Sequence, residues 1–475
     1  MNFSRSGWLK KYIDFRGKNP FPSVLPTEGV KVIEETGVHN DLEQAIYYFL
    51  QPTGLLYGGL VGLPFPEVEP SDSSYFDSLD RVFFIFLDSL FACLVADRHF
   101  LLDKFIEEED RFLPAVDLAL AYFLGRPLPP HEPAQRRWFG LLSRGGGRRE
   151  YRLFEREIRQ RITHGSRLYY RPDFSFNGFL FLDLYHCLMW QRDSLVDPDN
   201  AVEILQTLKR QGEEQRVALL NLIICAAATD GTIHPVERRI VEHFLKSSRL
   251  PKATLTEFRR RLVEPIRLDE IVIPEMPWLI RRFFLELILM IFLADRSVSN
   301  EEREFLMQMV GRLDLWSEEL SQSQSAMELF LLSHEDKLPY FNVRSSIGSL
   351  RSRLQEKATL AVRKNLDRIV IEIKETGELY SLLIKATKSK LSPEEKRKVQ
   401  AQLMDILKTI PALAIFALPG GGIILPVLIK LLPFNLLPSA FEDKACGAPG
   451  DPLGSPMRPL LPLPGTGKEQ CPPSD

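Results

Sequence analysis

The stretch from Ile410 to Phe441, IPALAIFALPGGGIILPVLIKLLPFNLLPSAF, constrains this chain more than any other feature. Its only charge is Lys430, and it holds five prolines and three consecutive glycines. A spanning helix needs about 20 apolar residues, and this run is long enough. Proline breaks a helix in a soluble core, whereas membrane helices tolerate Pro and Gly where neighbours satisfy the freed backbone groups. Pro411 and Pro438 lie near the ends, while Pro419 with the following glycines lies inside and implies a kink or a re-entrant turn. Lys430 can snorkel or pair with an acid. The basic excess (KATKSK, EEKRKVQ) precedes the run, so the positive-inside rule keeps the N-terminal bulk cytosolic. Two other readings stay open: a membrane-embedded hairpin, and an apolar hairpin docked on the chain's own helices.

Elsewhere helical periodicity dominates and strand patterns are scarce, which predicts an all-α, multi-helical protein. Phe76–Phe105 is too densely apolar for a surface helix and reads as one or two buried helices. The next helix, LPAVDLALAYFLG, stops at Gly125 and Pro127. SRGGGRRE, from Ser143, reads as a solvated loop, because no strand–turn–helix context makes it a phosphate loop. Ser345–Lys390 reads as one or two long amphipathic helices. Ser392, Pro393 and Glu395 then open another helix with a capping box. After Phe441 the chain is rich in Pro and Gly and is expected to be disordered. Residues 1–20 lack a continuous apolar core, so no signal peptide is expected. The net charge of −3 gives no general reason to expect nucleic acid as a partner. Cys93, Cys187 and Cys225 sit in apolar runs and read as inert thiols, and Cys446 and Cys471 lie in the tail. With no nucleophile elbow, phosphate loop or zinc spacing, the expectation is a non-enzyme.

An internal repeat carries the candidate site. LLNLIICAAATDGTIHPVERRIVEHFL, from Leu219, aligns without a gap on FLELILMIFLADRSVSNEEREFLMQMV, from Phe284, at an offset of 65 residues. Asp230 matches Asp295, and Glu237 matches Glu302. Such a repeat implies two helix–turn–helix units that pack together. Glu302 fits the third position of a capping box begun by Ser299, and Pro235 and Glu237 fit the first and third positions of their own helix. Asp230 and Asp295 each end a preceding helix, where an anion is disfavoured, so an arginine or a bound cation should compensate. The first copy is not an EF-hand: Ala226 and Ala228 stand where two oxygen ligands are needed. Two readings remain, capping with ion pairing, or a divalent cation shared by Asp230, Glu237, Asp295 and Glu302. His234 and His243 flank the first turn and read as solvated surface histidines. The pattern D-G-x-I-x-x-x-E in a tandem helical unit resembles the tellurite-resistance TerB-like domain over about 205–335, and that resemblance implies metal binding by the acids.

The apolar run carries the more specific resemblance. Asp405 to Asp443 is similar to the membrane segment of the leucine-zipper-EF-hand-containing transmembrane (LETM) family, in a frame that uses Asp405, Pro411, Pro419, Pro426, Lys430, Pro433 and Pro438. That resemblance implies a membrane location, cation/proton exchange, and a ribosome-binding region beyond the membrane segment. Because 34 residues follow Phe441, that region is expected to be missing and a ribosome is not expected as a partner. The combination resembles bacterial LETM-related, biofilm-associated proteins. The resulting domain reading is an N-terminal helical part (1–200), a TerB-like tandem (201–335), an amphipathic connector (336–409), the apolar segment (410–441) and a tail (442–475). The expected function is that of an inner-membrane anchored, non-enzymatic protein of cation homeostasis or envelope stress, with lipid and a homo-oligomer or membrane protein as partners. A cation path is expected near Asp405 and Lys430. The alternative is a soluble or peripheral interaction scaffold, ribosome- or biofilm-associated roles included, whose acidic pairs only cap helices.

Overall fold

The computed structural model describes residues 2–3, 5–22, 25, 41–65, 68, 78–102, 112–126, 146–163, 177–229, 231, 233, 235–293, 299–334, 347–417 and 423–432. Among these no β-strand forms, and the all-α expectation holds. The N-terminal helices are α1 (Trp8–Lys18), α2 (Asp41–Leu50), α3 (Ser78–Leu102), α4 (Phe112–Leu124), α5 (Gly146–Thr163) and α6 (Leu180–Val196). The tandem region follows with α7 (Ala201–Ala227), α8 (Pro235–Ser247), α9 (Lys252–Arg261), α10 (Trp278–Phe292), α11 (Asn300–Arg312) and α12 (Ser317–Ser333).

Three helices lie almost wholly inside the protein, and the sequence dictates this. In α3 every residue from Val82 to Ala96 is buried, and α6 and α10 are nearly as enclosed. A helix that is apolar all round cannot face water on any side, so it must sit between others. Accordingly α3 packs on α4 and α6, α6 on α7, and α10 on α7, α11 and α12. The Phe76–Phe105 run thus supplies one buried helix, and Gly125, at φ +65°, ends α4. The basic glycine loop is a correction: from Gly146 onward the chain is already helical, and Ser143–Gly145 lie outside the described residues.

Two buried ion pairs lie in this core. The Arg16 guanidinium meets Asp88 (Nε to Oδ1, 3.0 Å), to which Tyr12 donates at 2.7 Å. Arg282 reaches Glu286 at 3.1 Å, and Tyr47 donates to the same carboxylate at 2.6 Å. Each guanidinium also stacks on an aromatic ring at 4.2 Å, Phe21 and Tyr47 respectively. A buried charge stripped of its partner costs about 3–5 kcal/mol, so these networks fix the register of α1 on α3 and of α2 on α10.

One close approach ties the N-terminal part to the tandem. Gly58, at φ +72°, lies where an added Cβ would stand 2.6 Å from the Gly178 nitrogen, and a Cβ on Gly178 would stand 2.1 Å from the Phe244 ring in α8. Asn177 N–H donates to the Gly58 carbonyl at 3.0 Å across the same gap.

Beyond α12 the connector is three helices rather than one or two: α13 (Ile347–Lys364), α14 (Leu366–Glu375) and α15 (Gly377–Lys388). Breaks at Asn365 and Thr376 turn the chain so that α14 and α15 pack against each other and against α16 (Pro393–Lys408). Ser392 accepts the Glu395 N–H at 3.2 Å while Glu395 accepts the Ser392 N–H at 2.9 Å, the expected capping box.

Candidate functional site

In the tandem unit the helices of each copy pack as a pair, α7 with α8 and α10 with α11, and the copies pack through α7 and α10. The four candidate acids are only partly placed. Glu302 sits in a capping box, accepting the Ser299 N–H at 2.6 Å while Ser299 accepts the Glu302 N–H at 3.1 Å. Glu237 is the third residue of α8 and is buried. Asp230 and Asp295 lie outside the described residues, so their position relative to Glu237 and Glu302 is not described. Among the described residues no group of three His, Cys, Asp or Glu is arranged to hold a metal ion. The histidine reading is corrected: His243 is fully buried against Phe244, because α8 turns that face onto the core, while His234 lies outside the described residues. Cys93 and Cys187 are buried and burial pushes both thiols up, as inert thiols require, while Cys225 is half-buried and raised to about 11. Cys446 and Cys471 lie outside the described residues.

The apolar stretch folds in pieces. Pro411 opens a single turn, α17 (Pro411–Ala414), continued by a 3-10 turn over Ile415–Ala417, and α18 (Ile424–Leu431) follows. Pro426 is the third residue of α18, where its missing N–H has no intrahelical partner to lose. Pro419, Pro433 and Pro438 lie outside the described residues. Among the described residues no helix is long and apolar enough to cross a membrane. The pieces rest on the protein instead. The α17 turn packs on α13 and α16, the 3-10 turn on α12 and α16, and α18 chiefly on α13. Leu413, Ile424 and Leu428 are completely buried there.

Docking uses one side of α18. Pro426 and Lys430 are exposed, and Leu425, Val427, Ile429 and Leu431 are half-buried. Asp405 is paired with Lys408 at 3.2 Å on the exposed side of α16.

Around this segment lies a charge pattern that whole-chain counting hides. Residues 347–432 carry fifteen Lys and Arg against eight Asp and Glu, a net of +7 in a chain whose total is −3. Arg351, Arg363, Lys364, Arg368, Lys374 and Lys390 are exposed. Glu378 and Glu395, held by Lys398 and Lys385 respectively at 2.5 Å, have carboxyls below their ordinary value because these ammonium groups donate to them. A windowed charge count would have revealed this basic module from sequence.

No curated protein and no solved structure matches the chain. Residues 391–447, which take in α16, the broken apolar segment and α18, match the family model described as LETM1-like, RBD. The match spans 57 of the 475 residues, and by it the C-terminal part of this chain is similar to the LETM1-like family.

Proposed function

We propose that this chain is a non-enzymatic helical interaction protein whose C-terminal module, residues 347–432, docks on a polyanionic partner, the ribosome. The observation that carries this reading is the overlap of the family match with the basic module: the segment described as RBD begins at Leu391, just before α16 and inside the +7 region. We read RBD as the family's ribosome-binding region, a reading that departs from the expectation that this region lies beyond Phe441 and is missing. Exposed Lys and Arg neutralise phosphates and release counterions, which makes such binding steeply salt-dependent. Co-sedimentation of the full chain with purified ribosomes tests it. Binding that weakens as salt rises, and is lost when Arg363, Lys364, Arg368 and Lys374 are changed to Gln, is expected. Binding to ribosomes that ignores those substitutions, or its absence, refutes the reading.

A second reading, attachment to a membrane, is favoured by α18 alone. Its half-buried Leu425, Val427, Ile429 and Leu431 leave apolar surface uncovered, with Lys430 among them. Co-flotation with anionic vesicles that is abolished by Leu425→Asp would favour it. A cation role for the tandem unit rests on the TerB-like resemblance, and calorimetry with divalent cations decides it.

A further inference from the structure

The contact between α12 and α13 has one charged group at its centre. Glu328 of α12 is buried, with a side chain 1% exposed. Its carboxylate meets two cations one helical turn apart on α13, Lys357 at 3.2 Å and Arg353 at 3.7 Å. Lys357 also reaches the Ser325 hydroxyl at 3.5 Å. Nearby, α13 buries Leu350, Leu354 and Ala358, and the 3-10 turn at Ile415–Ala417 packs on α12. The two cations are not enclosed, however. Lys357 is 32% exposed and Arg353 is 50% exposed. They therefore belong both to the interface and to the basic surface that Arg351 and Arg363 continue along α13.

We infer that this contact is a charge-operated latch: a polyanion bound along α13 competes with Glu328 for Arg353 and Lys357, and so loosens the C-terminal module from the rest of the protein. This inference rests on the polyanion-binding reading of the basic module but not on the ribosome as its target. Coulomb attraction to a half-exposed cation is modest and screened, so a polymer of phosphates can outcompete one carboxylate. The coupling is reciprocal: the factor by which the polyanion weakens the latch is the factor by which the closed latch weakens polyanion binding.

The test uses the full chain and long-chain inorganic polyphosphate, a polyanion without ribosomal features. Amide exchange across residues 347–364 is followed as polyphosphate is titrated. Exchange should rise with binding, and Glu328→Gln should bind polyphosphate about five-fold more tightly while exchanging faster in α13 even without it. Lys357→Gln should also exchange faster but bind more weakly, because it removes a cation that both partners use. A purely structural role would move both variants the same way. Polyphosphate that fails to bind, binding that leaves α13 exchange unchanged, or equal affinities for Glu328→Gln and the unaltered protein overturn the latch. Failure to bind ribosomes together with this polyphosphate response would refute the ribosome reading and leave the latch standing.

Discussion

The way α18 lies on α13 makes a prediction that separates its two faces. Ile424 and Leu428, one turn apart, are completely buried, whereas Lys430 is exposed. Leu428→Ala removes three carbons from a site with no access to water. Such truncations cost about 2.7–5 kcal/mol, a transfer contribution plus the cavity that remains. At about 1.4 kcal/mol per factor of ten, the docked state loses roughly a hundred-fold or more of its population advantage. Ile424→Ala should act similarly, and Lys430→Ala should stay within about 0.5 kcal/mol, as surface substitutions do. Because α18 contacts α13 and α16, the loss should be local. The assay is amide exchange of the full chain in lipid-free, detergent-free buffer, comparing residues 347–432 with α6 and α10. Exchange should accelerate in the C-terminal module and stay slow in α6 and α10. Equal, small effects of Leu428→Ala and Lys430→Ala would refute the docked arrangement and return the segment to the bilayer.

Other outcomes follow from the same contacts. Asp183 accepts from Arg216 at 2.6 Å and pairs with Arg161 at 2.6 Å, so Asp183→Ala should cost about 3–5 kcal/mol in urea denaturation by leaving the mostly buried Arg216 without its carboxylate and Arg161 with Glu157 alone. Burial holds the Asp97 carboxyl at about 6, against the Gln191 amide and Arg192 that would lower it. The folded state then binds a proton that the unfolded state has released, so Asp97 should make stability fall as pH rises from about 4 to 6, by up to about 3 kcal/mol. Asp97→Asn should flatten that part of the stability–pH curve. Gly58→Ala combines a positive φ with a 2.6 Å clash against Gly178 and should destabilise by more than about 1 kcal/mol, read as a lowered thermal midpoint. Glu302→Gln keeps most of the capping geometry and should cost under about 1 kcal/mol. A cation-dependent loss on that substitution would instead mean that Glu302 serves a metal.

The helical class, the buried α3 and the Ser392 and Ser299 capping boxes were legible in the sequence because each is set within a few residues, by periodicity or by a side chain reaching its own backbone. His243 was misjudged for the complementary reason. Residue spacing gives the face of α8 on which it sits but not which neighbouring helix covers that face. The basic module was legible too, but only in a window, since acids elsewhere in the chain cancel it in the total.

The apolar run marks the division most clearly. The sequence by itself determined that Ile410–Phe441 must be removed from water, because one lysine cannot solvate so much hydrocarbon, and its prolines and glycines determined where the helix breaks. It did not determine what covers the run, because lipid and protein offer equivalent apolar surface to the same side chains. Tertiary structure decided that for the described part: short helical pieces, which prolines permit, pack on α12, α13 and α16.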